Sequence, residues 1–426
     1  AHAGLPAGGG RLVINGPFKA IHSLAALGRA HVRFYPWEEA LATVREMLLS
    51  PEEETPDPAY PLFRRRRSVR SEKPNVVVVM LEGWPAAAVD SIRTSMGQEP
   101  LGLTPEFDRL AGRGCLFTRF YACGRRTRNG LSSMVAGMPS LPNLPFAGKG
   151  LEEMRLPYLG RLAREMGYGT YYFSGAGRES QSQHRIAKAA GFTRFTFMED
   201  LPEGRLKAWD HDLWAEFGRV LSEAPEPFLA FLYTTNTHAP YQYPPKWEKH
   251  PPDTRERAFW NALAYSDHAM GEYFRRAEKE PYFDRTIFFL AADHTQRGMR
   301  KEGDPRQEFH VPCLLIGPGV TPGAASDRVG SQVDTIPTLA GLAGWEAPQG
   351  ALGRSILDDA PGRGAVCNSD DLVLRVEAGG WVLHNLEERI DAKALREGTD
   401  LDAIERRLLA YVQVAFLLWV KDRLIP

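Results

Sequence analysis

The clearest pattern along the chain is a series of short, unbroken apolar runs separated by stretches of helical period. VVVVML (76–81), FLAFLYTT (228–235) and TIFFLAA (286–292) show no polar alternation. That predicts strands buried on both faces, as in a parallel sheet covered by helices. CLFTRFYA (115–122) and GTYYFS (169–174) predict two further strands. TPEFDRLAG (104–112) predicts a helix with Thr104 as N-cap and Pro105 at its first position. Further helices are predicted over 129–136 and 157–167. Strands alternating with helices predict an α/β fold: a doubly wound, mostly parallel sheet flanked by helices. Near the carboxyl end, LVLRVEA (372–378), Gly379-Gly380 and WVLHNLE (381–387) predict an antiparallel hairpin. A buried or amphipathic helix follows over 408–420, too short an apolar run to span a bilayer.

Residues 1–73 are patterned differently. RLVINGPF (11–18) precedes two helical stretches, 19–33 and 37–49. Then come an acidic, proline-rich segment, PEEETPDPAYP (51–61), and a basic cluster of Arg64, Arg65, Arg66, Arg67 and Arg70. This reads as an arm and linker, whose arginines suit either solvent or anionic lipid headgroups. The domains expected are therefore an arm (1–73), a catalytic domain (74–365) and a hairpin-and-helix subdomain (366–426). Composition narrows the class. With 43% apolar and 25% charged residues, the 426-residue chain is not globally disordered. Its 52 basic and 53 acidic residues, a net charge of −1, argue against a nucleic-acid partner. Cys115, Cys123, Cys313 and Cys367 show no CxxC spacing, which excludes a disulfide scaffold and a zinc knuckle. A strand between Cys115 and Cys123 would hold them too far apart to pair unless it turns. Ala1–Gly10 does not resemble a signal peptide, and a start at AHAG reads as a piece of something longer.

In open α/β sheets, ligands bind outside the carboxyl ends of the strands. Glu82 follows the first apolar run, and Thr127 lies in CGRRTRNG (123–130), just before a helix. His238 lies in NTHAPY (236–241), and Asp293-His294 follows the run at 286–292. Singly, each has an ordinary reading: a loop acid, a helix cap, a hydrogen-bonded histidine, a turn. Together, two carboxylates, an imidazole and a hydroxyl form a mixed oxygen and nitrogen set for one divalent cation. A dication lowers the pKa of a coordinated hydroxyl enough to make it a nucleophile, and the helix after Thr127 offers N–H groups to a phosphate.

The pattern resembles the alkaline phosphatase/sulfatase superfamily and, within it, the membrane-anchored phosphoglycerol transferases of the lipoteichoic acid synthase type. The matching stretches are PNVVVVMLEGW (74–84), LTPEFDRLAGRGCLFTRFYACGRRTRNGLSSMVAGMPSLP (103–142), LYTTNTHAPY (232–241), AYSDHAMGEYF (264–274), FFLAADHTQR (288–297), FHVPCLLIGPG (309–319) and SQVDTIPTLAGLAG (331–344). The resemblance implies Glu82, Thr127, Asp293 and His294 as metal ligands, with Thr127 also the nucleophile. It implies His238 as a phosphate-binding group or general acid and His310 as a second phosphate-facing histidine. Arg125, Arg126 and Arg128 are candidates to face the phosphate. The metal implied is Mn²⁺, although the ligand set also accepts Zn²⁺ or Mg²⁺. The implied donor is a glycerophospholipid and the acceptor a glycan or polyol-phosphate. A membrane anchor is expected upstream of Ala1, which would place the catalytic domain on the outer face of the cell membrane.

The chain departs from the synthase pattern in three places. SGAGRESQSQHR (174–185) lacks the family's tryptophan, leaving Arg178, Gln183 and His184 as candidate replacements in the substrate pocket. Glu82 is followed by Gly83-Trp84 rather than serine. AWDHDLW (208–214), which adds His211 as a candidate, resembles a Trp-Gly-x-x-Asp segment, but a helix cap by Asp210 or Asp212 explains it equally. Cys123 is not in the C/S-x-P-x-R context that a sulfatase requires. A phosphoethanolamine transferase shares the threonine and the ligands, a phosphodiesterase differs in using water as acceptor, and a non-catalytic lipid- or glycan-binding scaffold is the reading of another class.

Overall fold

The computed structural model describes residues 32–66, 72–142, 144–202, 208–296 and 303–426. RLVINGPF, nearly all of the helix expected over 19–33, and Arg67 and Arg70 lie outside the described residues. The described chain opens with helix α1 (Trp37–Leu48).

The core is an eight-stranded sheet. Its strands are β1 (Asn75–Leu81), β2 (Cys115–Tyr121), β3 (Gly169–Ser174), β4 (Arg194–Thr196), β5 (Phe228–Tyr233), β6 (Thr286–Ala292), β7 (His310–Ile316) and β8 (Ala324–Ser331). They lie in the order β8-β2-β7-β6-β1-β5-β3-β4. All neighbours pair in parallel except β7, which runs antiparallel to both β2 and β6. The three continuous apolar runs are the strands β1, β5 and β6 at the centre of the sheet, and every residue of each is buried. Helix–sheet layering on both faces is what such runs require.

Around this sheet lie α2 (Pro105–Ala111), α3 (Thr127–Ala136), α4 (Asp210–Glu223) and α5 (Arg255–Ala277). A second, antiparallel sheet follows, β9 (Gly364–Ser369), β10 (Leu372–Glu377), β11 (Gly380–His384) and β12 (Arg389–Ala394), and then α6 (Leu401–Val420). The β10–β11 hairpin is present, with its turn one residue earlier than the glycine pair suggested, since Gly380 already pairs with Ala394 in β11–β12.

The structure corrects some of these expectations and agrees with others. Thr104 does not cap α2 with its side chain. The cap comes from Asp267 on α5, whose carboxylate accepts the N–H groups of Glu106 and Phe107 at 2.9 Å each. The basic cluster is not a free lipid-binding strip among the described residues. Arg64 is fully buried, pairs with Glu53 at 3.2 Å and donates to the carbonyl of Ala351 at 2.9 Å. Arg65 pairs with Glu54 at 2.6 Å and Arg66 with Asp358 at 2.6 Å. All four cysteines are free and buried. The terminal helix is longer than its apolar run, because Asp400 caps its start through the Ala403 N–H at 2.9 Å. No helix among the described residues is long and apolar enough to cross a membrane.

Candidate active site

The site forms where β1, β5 and β6 end side by side. Val79 and Met80 of β1 face Leu290 and Ala291 of β6, so the residues just beyond, Glu82 and Asp293, emerge together. Gly83 has φ +62°, and a Cβ there would come within 2.4 Å of the Gln296 amide nitrogen, so only glycine lets the chain turn away from Glu82 at this point. The Gly83 N–H donates to Asp293 Oδ1 at 2.7 Å, and the His294 N–H donates to the same oxygen at 2.8 Å.

Helix α3 supplies the hydroxyl. It begins at Thr127 itself rather than at Asn129, with Arg126 at the cap position making no side-chain capping bond. The first N–H groups of a helix have no partner within it, so they are available to an anion. Its first turn presses on the end of β6: a Cβ at Gly130 would meet the Asp293 carbonyl oxygen at 2.6 Å. Thr127 Oγ1 lies 3.2 Å from Glu82 Oε2, to which it donates, and 3.3 Å from His294 Nε2. His294 Nε2 is 3.5 Å from Asp293 Oδ2 and 3.6 Å from Glu82 Oε1. Its Nδ1 donates to the Thr295 carbonyl at 2.9 Å, which leaves the Nε2 lone pair facing the cluster.

A divalent cation fits these residues. The ligand atoms of Glu82, Asp293 and His294 lie within 4.8 Å of one another. Asp293 Oδ2 is buried and accepts no hydrogen bond. Burial, and then the adjacent Glu82 carboxylate, pushes the Asp293 carboxyl up to about 7. Two carboxylates held this close away from water repel unless positive charge lies between them. Tyr233, at the end of β5, donates its phenolic proton to Glu82 Oε2, and burial followed by the Glu82 charge raises the phenol well above its usual range.

A cleft of about 400 Å³ opens over the cluster, walled by Glu82, Thr127 and His294 together with Arg126, Arg128 and His238. His238 is exposed and its Nδ1 donates to the Ala239 carbonyl at 2.7 Å. Its loop is braced from below by Asp210, whose buried carboxylate accepts the Thr235 and Asn236 N–H groups at 3.1 and 3.3 Å. Asp210 is the first residue of α4, so AWDHDLW serves both as a helix start and as support for the His238 loop.

Arg178, Gln183, His184, His211 and His310 do not line the cleft. Arg178 pairs with Asp200 at 2.8 Å and lies over the Phe197 ring. His184 packs edge-on against Phe195 and Phe197, and Gln183 accepts the Ser174 hydroxyl at 2.7 Å. His211 bonds Tyr265 at 2.6 Å. His310 stacks on Tyr121 and donates from Nε2 to the Thr118 carbonyl at 2.8 Å. Burial lowers its pKa to about 4, so it is a neutral, structural group. Arg125 shares the cleft wall but is held by Glu308 at 2.6 Å and Ser369 at 2.8 Å.

Sequence reasoning overlooked Tyr233, Gln296 and Arg255. The last two line the cleft and are joined through Tyr241, whose hydroxyl is 3.2 Å from Gln296 Oε1 and 2.8 Å from Arg255 Nε. Gln296 was visible as a polar residue just after Asp293-His294. Arg255 gave no signal, because it opens a long helix remote from the strand ends.

Residues 74–345 match the family model described as Sulfatase. The chain belongs to the sulfatase family. Among the relatives of this sulfatase-family chain is phosphoglycerol transferase I of Xanthomonas axonopodis pv. citri, 26% identical over 267 residues, which cover 57% of this chain and 38% of that protein. This chain therefore spans well under half the length of that relative. In fold it is similar to a protein of the alkaline phosphatase superfamily from Vibrio parahaemolyticus (24% identity, TM-score 0.78, 92% of this chain and 96% of that one). It is also similar to the lipoteichoic acid synthase LtaP from Listeria monocytogenes (16% identity, TM-score 0.70, 90% of this chain and 98% of that one). The expected fold is the fold observed.

Proposed function

We propose that this sulfatase-family chain is a metal-dependent phosphotransferase that moves a phosphoglycerol-type group from a glycerophospholipid to a glycan or polyol-phosphate acceptor through Thr127. One observation carries the reading: the hydroxyl of the first residue of α3 lies between Glu82 and His294, at the floor of a cleft rimmed by Arg126, Arg128 and His238. Phosphoglycerol transferase relatives supply the transferred group. Glu82, Thr127, Asp293 and His294 are the residues that would hold the metal, Mn²⁺ by the family resemblance. When bound, it lowers the threonine pKa and offsets charge on the transferring phosphoryl group.

The protein's own groups divide the remaining work. Thr127 Oγ1 forms a bond to phosphorus while the bond from phosphorus to the diacylglycerol oxygen breaks, and the threonine proton passes to Glu82. Arg126, Arg128 and the first N–H groups of α3 bind the phosphoryl oxygens. His238, protonated at Nε2, gives a proton to the departing alcohol. It then takes one from the acceptor hydroxyl that displaces Thr127, while Glu82 returns its proton to the threonine. A membrane anchor outside the described residues would set this cleft at the outer leaflet, where donor and envelope acceptor meet.

The test is intact mass after incubation with phosphatidylglycerol and Mn²⁺. A phosphoglycerol adduct is expected on Thr127, and none on Thr127→Ala. An adduct from phosphatidylethanolamine instead would make the chain a phosphoethanolamine transferase, and none from any lipid in folded, metal-loaded protein would leave a scaffold.

A further inference from the structure

A second cavity, of about 420 Å³, adjoins the cleft and shares Arg125 and Arg126 with it as a common wall. Its lining is amphipathic: Leu141, Pro142, Leu144, Pro145 and Phe146, with Trp419 from the last turn of α6, lie beside Arg125, Arg126, Asn129, Ser140, Lys149, Asn368 and Asp370. Some of the polar groups lining it are engaged with one another. The Asn129 amide donates to Ser140 at 2.9 Å, and Asp370 lies 3.4 Å from Arg125. The apolar residues give the start of a hydrocarbon chain a wall to lie on, and the polar and cationic groups beside them suit an ester and a phosphate, so the lining matches an amphiphile. The rim is cationic. Arg126 and Lys149 are exposed and form no ion pair among the described residues.

Beside the groove, Val420 is exposed and Lys421 lies over the ring of Trp37, near the amino-terminal end of the described residues. Aromatic rings flanked by basic side chains are the composition of a surface that meets a lipid interface. Resting on the phosphotransferase reading above, we propose that this groove seats the glycerol ester and first acyl methylenes of an anionic phospholipid whose phosphate lies at Thr127. Charge complementarity decides the occupant: Arg126 and Lys149 are positive where the phosphate would enter, and Leu141, Leu144, Phe146 and Trp419 lie beyond them.

The probe is phosphatidylglycerol carrying a diazirine near the ester end of one acyl chain, presented in vesicles to the metal-loaded protein and photolysed. Label is expected on peptides holding residues 141–149 and Trp419. Dihexanoyl-phosphatidylglycerol should compete it away, and glycerophosphoglycerol, which lacks the acyl groups, should compete at least about tenfold less well, since each buried methylene is worth about fourfold in affinity. Leu144→Asp should cut the label about tenfold, and Trp419→Gln, at a partly exposed position, severalfold should Leu144→Asp not fold. Label confined to other surfaces, or equal competition by the acyl-free diester or by a soluble oligosaccharide, overturns the proposal. Mass analysis of the same samples separates the two readings: a Thr127 adduct with label elsewhere refutes the groove alone, and groove label without an adduct refutes the transfer chemistry alone.

Discussion

At the scale of single residues, the site is a problem of holding negative charge. Glu82 and Asp293 are both fully buried, and the groups around Glu82 include a phenol that donates a hydrogen bond to the carboxylate. Tyr233 thus orients the Glu82 oxygen that also receives the Thr127 hydroxyl. Removing an outer partner of a metal ligand, the role proposed for Glu82, typically costs 10- to 100-fold in metal affinity or activity. Tyr233→Phe keeps the ring and its packing, so its rate on a soluble phosphodiester is expected to fall by about that factor at limiting Mn²⁺ and to recover partly at saturating Mn²⁺. An unchanged metal titration would show that the phenol is mere core packing. This residue also marks a limit of reading sequence. The structure brings together Glu82, Thr127, Asp293 and His294, each of which stands out in the sequence as a chemically distinctive residue just past a strand or at a helix start. Tyr233 closes an apolar run, where a tyrosine reads as core, and only the side-by-side pairing of β1 and β5 turns it toward Glu82.

Among the elements, legibility followed locality. Continuous apolar runs identified β1, β5 and β6, and the helix expected over 129–136 begins only two residues earlier, at Thr127. The α2 cap was misassigned because its partner is not local: Asp267 reaches it from α5, and nothing in the sequence around Thr104 reveals that carboxylate. His310 follows the same logic. Its strand, β7, is antiparallel to β2, and the register shifts between Phe117 and Phe120, where the Thr118 carbonyl accepts the His310 Nε2–H. Arg306 and Arg119 nearby add to the burial that holds its pKa near 4, while Asp304 opposes them. An unfolded histidine titrates near 6.5, so the unfolded chain binds the extra proton first as pH falls. Stability from this group is complete above pH 6.5 and is lost progressively down to about pH 4, by about 3 kcal/mol. Urea unfolding from pH 7.5 to 4 should show that slope in the wild type and a shallower one in His310→Gln. Parallel slopes would mean the imidazole is not the titrating group.

The whole molecule joins segments that sequence composition set apart. The stretch before residue 74 reads as an arm and linker, yet Ala40, Val44, Met47 and Leu48 of α1 belong to the same hydrophobic core as the central sheet. Gln413 on α6 accepts the Phe34 and Tyr35 N–H groups at 2.6 and 3.0 Å, and returns a bond to the Tyr35 carbonyl at 2.9 Å. Arg64 completes the join. It is wholly enclosed, with Glu53 on one side and the carbonyls of Leu62, Ala351 and Gly353 on the other. A run of arginines after an acidic, proline-rich stretch gives no hint that its first member is a core residue, since the carbonyls of Ala351 and Gly353 come from 287 and 289 residues away. The consequence separates two pictures of this region. If Arg64 served a lipid surface, its loss would weaken vesicle binding and leave stability alone. As a buried cation facing a nearly buried carboxylate, its replacement by Met strands Glu53, and breaking such a pair costs about 3–5 kcal/mol. Arg64→Met is therefore expected to lower the urea midpoint sharply. Adding Glu53→Gln, which removes the stranded charge, should restore part of the loss, a coupling that a surface role cannot produce.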